Sequence, residues 1–358
     1  MGVSKQIAGK RETGEEVSFY TLENARGQQA VVTDLGAIWI AMRTPDRAGR
    51  FGDVVLAYEG IEALERNDGH LGAVVGRNAN RIGGGVFTLN GKTYTLQQNN
   101  GRNNLHSGPD YLERRMYRAE AGMKADKTPF VTFSLESPEG DQGYPGTMDI
   151  RVTYSLSDAG ELAIAYEIAA GDADTLCNFT NHAYFNLAGH DAGSALDQIL
   201  WIDADAITEG GPDSIPHGTL LPVAGTPFDF RTPKAIGKDI SAANEELICG
   251  KGYDHNFCLN RNGVSGQFHA AGVFDPHSGR TMDVYTDMPG IQFYTANYLE
   301  PADKGKGGVQ YHPRDAFALE TQYYPNAINV PGWEQPVIKA GETKQFMTVY
   351  KFGTKEEG

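Results

Sequence analysis

Hydrophobic and polar residues alternate along much of the chain, with the period of two that is typical of β-strands with one buried face. The clearest case is segment 150–168, where two alternating runs flank a turn-like sequence at 157–160. The apolar positions of each run share one face: Ile150, Val152, Tyr154 and Leu156, then Leu162, Ile164, Tyr166 and Ile168. We therefore predict an antiparallel hairpin whose apolar face lies in the core.

A second hairpin is predicted at 86–96, where Asn90-Gly91 separates two alternating runs. Asn-Gly is favoured in type I′ turns because both central residues need a positive φ. Other strand-like runs lie at 266–275, 280–287, 290–299 and 344–352, and helical periodicity is limited to stretches near 60–68 and 242–247. The 44 glycines and 17 prolines are dispersed, with no linker-like tract. The pattern predicts an all-β protein, one large antiparallel β-sandwich domain covering residues 1–358.

Composition narrows the class of protein. With 46 acidic and 31 basic residues the formal net charge is −15, which argues against nucleic-acid binding and suits a small neutral substrate. No window approaches the roughly 20 apolar residues of a membrane span, and no signal peptide is evident. Cys177, Cys249 and Cys258 lack metal-binding spacing and favour reduced thiols and a cytoplasmic location. Motifs of nucleotide binding, zinc proteases and serine hydrolases are missing.

The stretch CNFTNHAYFNLAG (177–189) combines strand-forming residues with an unusual number of hydrogen-bonding side chains. Burying such groups is unfavourable unless each finds a partner. His182 is the titratable group in this stretch. Asn178, Asn181 and Asn186 either bind a polar ligand or orient the strand that presents His182, and the sequence leaves both roles open.

Titratable or amide side chains cluster in four further strand-like or turn-like stretches, at Asn80 and Arg81, His106, Asp254 and His255, and Glu320. Desolvation in such surroundings shifts pKa values toward catalytic use. Structural explanations remain open for each. His106 suits a loop residue that bonds local backbone, Asp254 a turn cap, and His255 a structural neighbour. Glu320 alternates with Leu319 and Thr321, so the face that carries it is either a site or simply solvent-exposed.

Taken together, these stretches point to a known family. The segments GRNANRI, NLHSG, TNHAYFNLAG, GYDHNF, GIQFYTAN and ALETQYYPNAIN occur in the order and approximate spacing of the aldose 1-epimerase family, also called galactose mutarotases. The sequence resembles this family over most of its length. The resemblance implies a large β-sandwich with the active cleft on one sheet face. It also implies an isomerase that interconverts the α and β anomers of free aldoses such as galactose and glucose, with no metal and no organic cofactor.

The resemblance also assigns roles to individual residues. Glu320 in ALETQ corresponds to the general base and His182 in TNHAYFNL to the general acid. The positions that correspond to sugar contacts are Asn80, Arg81, His106, Asp254 and Gln292, and Tyr184 is a further substrate-binding position that lines the same pocket. Two positions depart from the family pattern, Asn78 where an aromatic residue is common and Ser107 where glycine is common. Neither is a proposed catalytic residue, and the departures leave the preferred aldose undecided.

Three other functions stay open from the sequence. A sugar-phosphate epimerase needs basic groups for the phosphate, and Arg77, Arg81 and Arg102 lie near the relevant segments. A carbohydrate-binding module would bind sugar without catalysis. A glycosidase would use Asp254 and Glu320 as paired carboxylates. The oligomeric state is likewise open between monomer and homodimer, and the expected partner is a small aldose rather than nucleic acid or membrane.

Overall fold

A computed structural model describes residues 1–261 and 263–355. The predicted domain extends to residue 358, and residues 262 and 356–358 lie outside the described part. In chain order the strands are β1 (Gly2–Lys10), β2 (Glu16–Glu23), β3 (Gln29–Thr33), β4 (Trp39–Pro45), β5 (Phe51–Asp53), β6 (Ala73–Val75), β7 (Arg81–Ile82), β8 (Val86–Leu89), β9 (Lys92–Thr95), β10 (Asn104–Leu105), β11 (Arg118–Met123), β12 (Pro129–Ser137), β13 (Met148–Leu156) and β14 (Glu161–Ala170). They continue with β15 (Thr175–Leu176), β16 (Thr180–His182), β17 (Tyr184–Phe185), β18 (Ile199–Ile202), β19 (Ala204–Thr208), β20 (Leu220–Pro222), β21 (Lys234–Ala235), β22 (Asp254–Leu259), β23 (Phe268–Phe274), β24 (Arg280–Thr286), β25 (Gly290–Tyr294), β26 (Phe317–Gln322), β27 (Val337–Ile338) and β28 (Thr343–Thr354).

Three large sheets are built from these strands. One has five strands in the order β1-β2-β3-β4-β5, one has nine in the order β11-β12-β13-β14-β28-β24-β23-β18-β21, and one has six in the order β17-β26-β25-β22-β19-β20. The strand pairs within these sheets are antiparallel. The predicted fold class, an all-β protein with large antiparallel sheets, is confirmed.

Both predicted hairpins are present. Strands β13 and β14 pair from Met148 with Ala170 to Leu156 with Leu162, and the apolar positions of both runs are buried. Strands β8 and β9 pair across Asn90 and Gly91, whose φ values are 52° and 77°. Both turn residues thus have the positive φ that a type I′ turn needs.

The nine-stranded and six-stranded sheets pack face to face through aromatic and hydroxyl side chains. Tyr350 of β28 donates its hydroxyl to the carbonyl of Leu319 in β26 at 3.0 Å, and the hydroxyls of Thr348 and Thr321 meet in the same interface. Trp39 packs against Tyr350 with ring centroids 5.5 Å apart. Alternate residues of β26 therefore face the core, and the residues between them face the opposite side of the sheet.

Strand β26 is buried on both sides, which the alternation of its residues did not reveal. Glu320 points away from the inter-sheet core, yet it is only 2% exposed. The alternative that this face is solvent-exposed is wrong for Glu320, because its side chain is buried and His182 of β16 lies 3.5 Å from it. A carboxylate buried in this way needs a specific reason to be there.

Helices are short, as predicted: α1 (Ile61–Arg66) and α2 (Glu245–Gly250). Asn244 caps α2 with its side-chain oxygen, which accepts from the backbone N–H groups of Glu246 and Leu247. In the described part of the chain no helix has the length and apolarity needed to cross a membrane.

Candidate active site

A cleft of about 800 Å³ opens on the outer face of the six-stranded sheet. Eight predicted site residues from distant parts of the sequence line it together: Asn80, Arg81, His106, His182, Tyr184, Asp254, Gln292 and Glu320. The structure therefore brings the predicted set into one place, as a ligand site requires.

Three neighbouring strands carry one end of this site. Gln292 in β25 lies directly opposite Glu320 in β26, and its side-chain amide donates to Oδ1 of Asp254 in β22 at 2.7 Å. Because side chains directly opposite on paired strands lie close together, the sheet itself places a carboxylate, an amide and a second carboxylate in a row. Hydroxyl-rich ligands are bound by such mixed donor and acceptor groups.

His182 approaches this row from β16, which pairs with β6. Its Nε2 lies 3.5 Å from Oε1 of Glu320, and both side chains are nearly fully buried, at 6% and 3% exposure. His182 Nδ1 and Glu320 Oε2 have no hydrogen-bond partner among the described residues. Unpartnered polar atoms are uncommon in native interiors, and these two belong to adjacent groups that line the same cleft.

Burial shifts the pKa of each group in the direction that favours its uncharged form. The pKa of Glu320 is raised well above its usual 4.5, first by burial and then by the negative charge of Asp254, with Arg81 acting in the opposite direction. The pKa of His182 is lowered from 6.5 to about 3, mainly by burial and further by His70. The carboxylate is thereby a stronger base, and the imidazolium a stronger acid, than the same groups in water.

Tyr184 supports His182 from behind. The two rings stack with centroids 5.0 Å apart and an interplanar angle of 21°. The Tyr184 hydroxyl donates to the backbone carbonyl of Gly69 at 2.9 Å. Tyr184 lines the cleft as predicted, but its hydroxyl is already used within the protein.

His106 is held in one tautomer by its neighbour Asn80. The Asn80 backbone N–H donates to His106 Nδ1 at 3.1 Å, and the His106 backbone N–H donates to the Asn80 carbonyl at 3.0 Å. Since Nδ1 accepts, the proton of the neutral ring is on Nε2. Burial lowers the pKa of His106 well below 6.5 and keeps it neutral. His106 therefore makes the local backbone contact expected of a loop histidine, and it also lines the cleft.

The same tautomer bears on metal binding. His106, His182 and Glu320 each have a potential ligand atom within 4.8 Å of the others. A neutral histidine that binds a metal through Nε2 carries its proton on Nδ1, where the Asn80 N–H already donates. The His106 side chain therefore suits donation to a hydroxyl better than metal coordination.

The three asparagines of segment 177–189 bind the protein itself. Asn181 donates to the Gly72 carbonyl at 3.0 Å and to the Tyr154 hydroxyl at 3.1 Å. Asn178 accepts from the Tyr323 N–H at 2.9 Å. Asn186 spans two loops through the carbonyls at positions 193 and 315. Of the two roles left open by the sequence, the contacts are those of strand orientation.

His255 is a structural neighbour, as its sequence position suggested. Its Nδ1 accepts from the Asp254 N–H at 3.0 Å, and its Nε2 lies 3.4 Å from Oε2 of Glu246. Glu246 in turn accepts from the backbone N–H of Gly210 at 3.1 Å. This chain of contacts ties Asp254 to α2 and to the loop beside the cleft.

The two departures from the family pattern meet in the interior. The Asn78 backbone N–H donates to the Ser107 hydroxyl at 2.9 Å, and that hydroxyl also lies 3.0 Å from the Tyr144 hydroxyl. Both residues are buried, and neither is among the residues that line the cleft. They support the segment that carries His106.

Sequence reasoning missed one pair at the cleft, His70 and Glu113. The two side chains meet at 2.5 Å, although 43 positions separate them in the sequence. His70 lies in DGHLG, just before the first recognised motif, and no pattern in the chain connects it to Glu113.

Fold and site together define an acid/base enzyme built on an antiparallel β-sandwich. Comparison with known proteins identifies the family. The aldose 1-epimerase family model matches residues 18–351. The chain is 41% identical over 353 residues to the galactose mutarotase of Sus scrofa, covering 98% of this chain and 99% of that protein. It is 36% identical over 343 residues to the aldose 1-epimerase of Escherichia coli (strain K12), covering 95% and 96%.

Solved structures agree. An aldose epimerase homologue from C. elegans superimposes with a TM-score of 0.86 at 28% identity, covering 95% of this chain and 100% of that one. A galactose 1-epimerase from Lactobacillus acidophilus gives 0.86 at 25% identity, covering 99% and 100%. The chain belongs to the aldose 1-epimerase family.

Proposed function

We propose that the protein interconverts the α and β anomers of free aldoses by acid/base-catalysed opening and reclosure of the sugar ring. The observation that carries the proposal is the buried contact between Glu320 and His182, 3.5 Å apart in a cleft lined by hydroxyl-binding groups. Positioned acid and base groups each contribute roughly 10²–10⁴-fold to a rate.

The chemistry divides between these two side chains. Glu320 removes the proton from the C1 hydroxyl, and His182 protonates the ring oxygen as the C1–O5 bond breaks. The open aldehyde rotates about C1–C2, and the ring oxygen attacks the other face of the carbonyl. On closure His182 takes back the proton and Glu320 returns one to the C1 oxygen. Since the roles exchange, one pair serves both directions.

The remaining cleft residues hold the sugar. Asp254 accepts from hydroxyls, and Gln292 aligns it through their 2.7 Å hydrogen bond. Arg81 is oriented by donation from Nε to Asn100 Oδ1 at 3.0 Å, and among the described residues its terminal nitrogens remain available as donors. Asn80 and His106 complete the set with their mutual backbone contacts. Tyr184 contributes by fixing the His182 ring.

The placement of Arg77, Arg81 and Arg102 argues against a sugar-phosphate epimerase. Arg77 is fully buried and donates to the carbonyls of Ser137, Pro138, Pro145 and Gly146. Arg81 and Arg102 both line the cleft, but Arg102 is largely exposed and pairs with Asp213 at 2.6 Å. A phosphate near the catalytic pair would therefore meet Arg81, whose charge acts on Glu320, without a cluster of basic groups, which favours a neutral sugar.

A binding module without catalysis has no use for a buried acid/base pair, and a glycosidase has no evident use for an imidazole against its carboxylate.

Polarimetry decides between these functions. We expect the protein to hasten the change in rotation of fresh α-D-galactose and α-D-glucose toward the same final value, with weak competition from hexose 6-phosphates. Unchanged kinetics for every free aldose would contradict the proposal, and release of an aryl leaving group from aryl glycosides would favour the glycosidase.

We further propose that the enzyme works in the cytoplasm. All three cysteines are free thiols, two of them buried, which is typical of reducing compartments. Fractionation of cells that express the protein tests this location.

A further inference from the structure

A third imidazole, His70, lies in the cleft and has no part in the mechanism above. Its ring centroid is 5.0 Å from that of His106 and 5.9 Å from that of His182. The side chain is 16% exposed and lines the cleft. Its position beside both histidines of the site requires an explanation.

Glu113 fixes this imidazole. Its side chain is only 1% exposed, and Oε1 lies 2.5 Å from His70 Nδ1. Within residues 1–261 and 263–355, His70 is the hydrogen-bond partner of this carboxylate. Burying a carboxylate is unfavourable unless it is paired, so the pair is a defined structural unit. A carboxylate at Nδ1 sets the orientation of the ring and leaves Nε2 as its remaining polar atom.

The cleft has two chemically different ends, and His70 belongs to one of them. Asp254 and Gln292 form the first end on β22 and β25. The three imidazoles cluster at the second end. Glu320 lies between, opposite Gln292 in the sheet and 3.5 Å from His182. A sugar that rests against Glu320 therefore has hydroxyls toward both ends.

We propose that His70 is a substrate-contacting residue whose Nε2 hydrogen-bonds one sugar hydroxyl at the histidine end of the cleft, with Glu113 as its positioning residue. The inference rests on the proposed function and adds to it a determinant of which aldoses are accepted. An aldose that lacks this hydroxyl leaves a partly buried polar atom without its partner and is disfavoured.

His70→Asn is the most informative variant. His70 has a φ of 62°, a conformation that asparagine tolerates better than most residues. The asparagine amide lies near the position of Nδ1, so Glu113 keeps a donor while Nε2 is removed. His269→Asn is the matched control, because His269 also contacts a carboxylate, Asp283 at 3.0 Å, but does not line the cleft.

The test compares D-galactose with its 2-, 3-, 4- and 6-deoxy analogues. NMR exchange between the two anomeric protons at equilibrium gives kcat/KM for each sugar. We expect His70→Asn to lower kcat/KM for galactose about 10-fold relative to wild type. For one analogue, the one without the contacted hydroxyl, that ratio should return to near one. His269→Asn should match wild type for every sugar.

Two results would overturn the inference: no loss with galactose, or an equal loss with galactose and all four analogues, which is the signature of a purely structural role. Should His70→Asn fail to fold in a thermal melt, Glu113→Gln goes through the same comparison and is judged by the same criteria. A wild-type protein that accelerates no sugar would instead overturn the proposed function itself.

Discussion

The Glu320 carboxylate and the His182 imidazole lie 3.5 Å apart, and both are shielded from solvent. Neither is placed there for stability, because burial moves the pKa of each toward its uncharged form. Proteins retain such unfavourable groups where chemistry needs them. The pair therefore connects the stability of the fold to its activity.

Glu320→Gln should make the protein more stable while removing activity. When the pKa of a carboxyl group is raised in the folded state, the protein becomes less stable as the pH rises above 4.5, the pKa of this group in the unfolded chain. The neutral amide does not have this penalty. Thermal melts at pH 5 and pH 8 should show a Tm advantage of the variant that grows with pH, and a lower Tm of the variant at both pH values would contradict the account.

The pH profile should lack the usual histidine inflection. The active pair holds one proton. Activity falls at low pH when a second proton binds, and the pKa of His182 is lowered to about 3, so that limb lies far below 6.5. Activity falls at high pH when the remaining proton leaves, and this limb lies above 4.5 because the pKa of Glu320 is raised. Measuring kcat/KM from pH 4 to 9 tests this. An acid limb centred at 6.5 would refute the assignment.

Asp254→Asn should weaken substrate binding and also shift the alkaline limb. The negative charge of Asp254 is the second cause of the raised Glu320 pKa, so its removal lowers that pKa and moves the limb to lower pH. KM should rise about tenfold, because a charged acceptor for hydroxyls is lost, and kcat should fall with the loss of alignment.

Arg81→Ala should weaken binding and rate as well but move the alkaline limb to higher pH, since Arg81 acts on the pKa of Glu320 in the opposite direction.

Tyr184→Phe should leave KM nearly unchanged. The hydroxyl donates to the Gly69 carbonyl, and the ring that stacks on His182 is retained in phenylalanine. We expect a loss of about 1 kcal/mol in the free energy of unfolding, typical of one hydrogen bond, measured by urea denaturation. A tenfold rise in KM would instead show that the hydroxyl binds sugar directly.

Arg77→Met should unfold more readily without a specific catalytic defect. Its guanidinium donates to four backbone carbonyls and to the Ser137 hydroxyl, and burial lowers its pKa to about 10. Leaving several acceptors unpaired costs about 3–5 kcal/mol. The exposed Arg102 provides the control, because Arg102→Met should melt close to wild type. A stable Arg77→Met that fails to turn over sugar would revive a ligand-binding role.

Much of the fold follows from local rules. Asn90-Gly91 predicts its hairpin because few other pairs adopt two positive φ values without strain. The runs around 157–160 predict theirs because the period of two assigns one face to the core. Neither rule reports what covers the second face of a strand, so the burial of Glu320 is visible only after the short strands and loops around β26 are placed.

The same distinction between local pattern and long-range contact applies to the residues of the site. Motifs in family order predict the catalytic pair and the sugar contacts that we propose, since each of these residues lies within a distinctive local sequence. Residues that support the site lie in no distinctive local sequence and cannot be predicted in this way. His70 and Glu113 meet through the fold, and the asparagines around His182 read equally well as ligand groups until the carbonyls they bind are known. Roles set by long-range contact require the structure.

The most direct test of the account measures the mutarotation rate of fresh α-D-galactose by polarimetry with wild type, Glu320→Gln, His182→Asn and the double variant. We predict that wild type accelerates the approach to the unchanged final rotation and that each single variant loses about 10³-fold or more. The double variant should be little worse than the poorer single variant, because the two groups act as a unit. Near-wild-type rates in either single variant would contradict the claim that this pair carries the reaction.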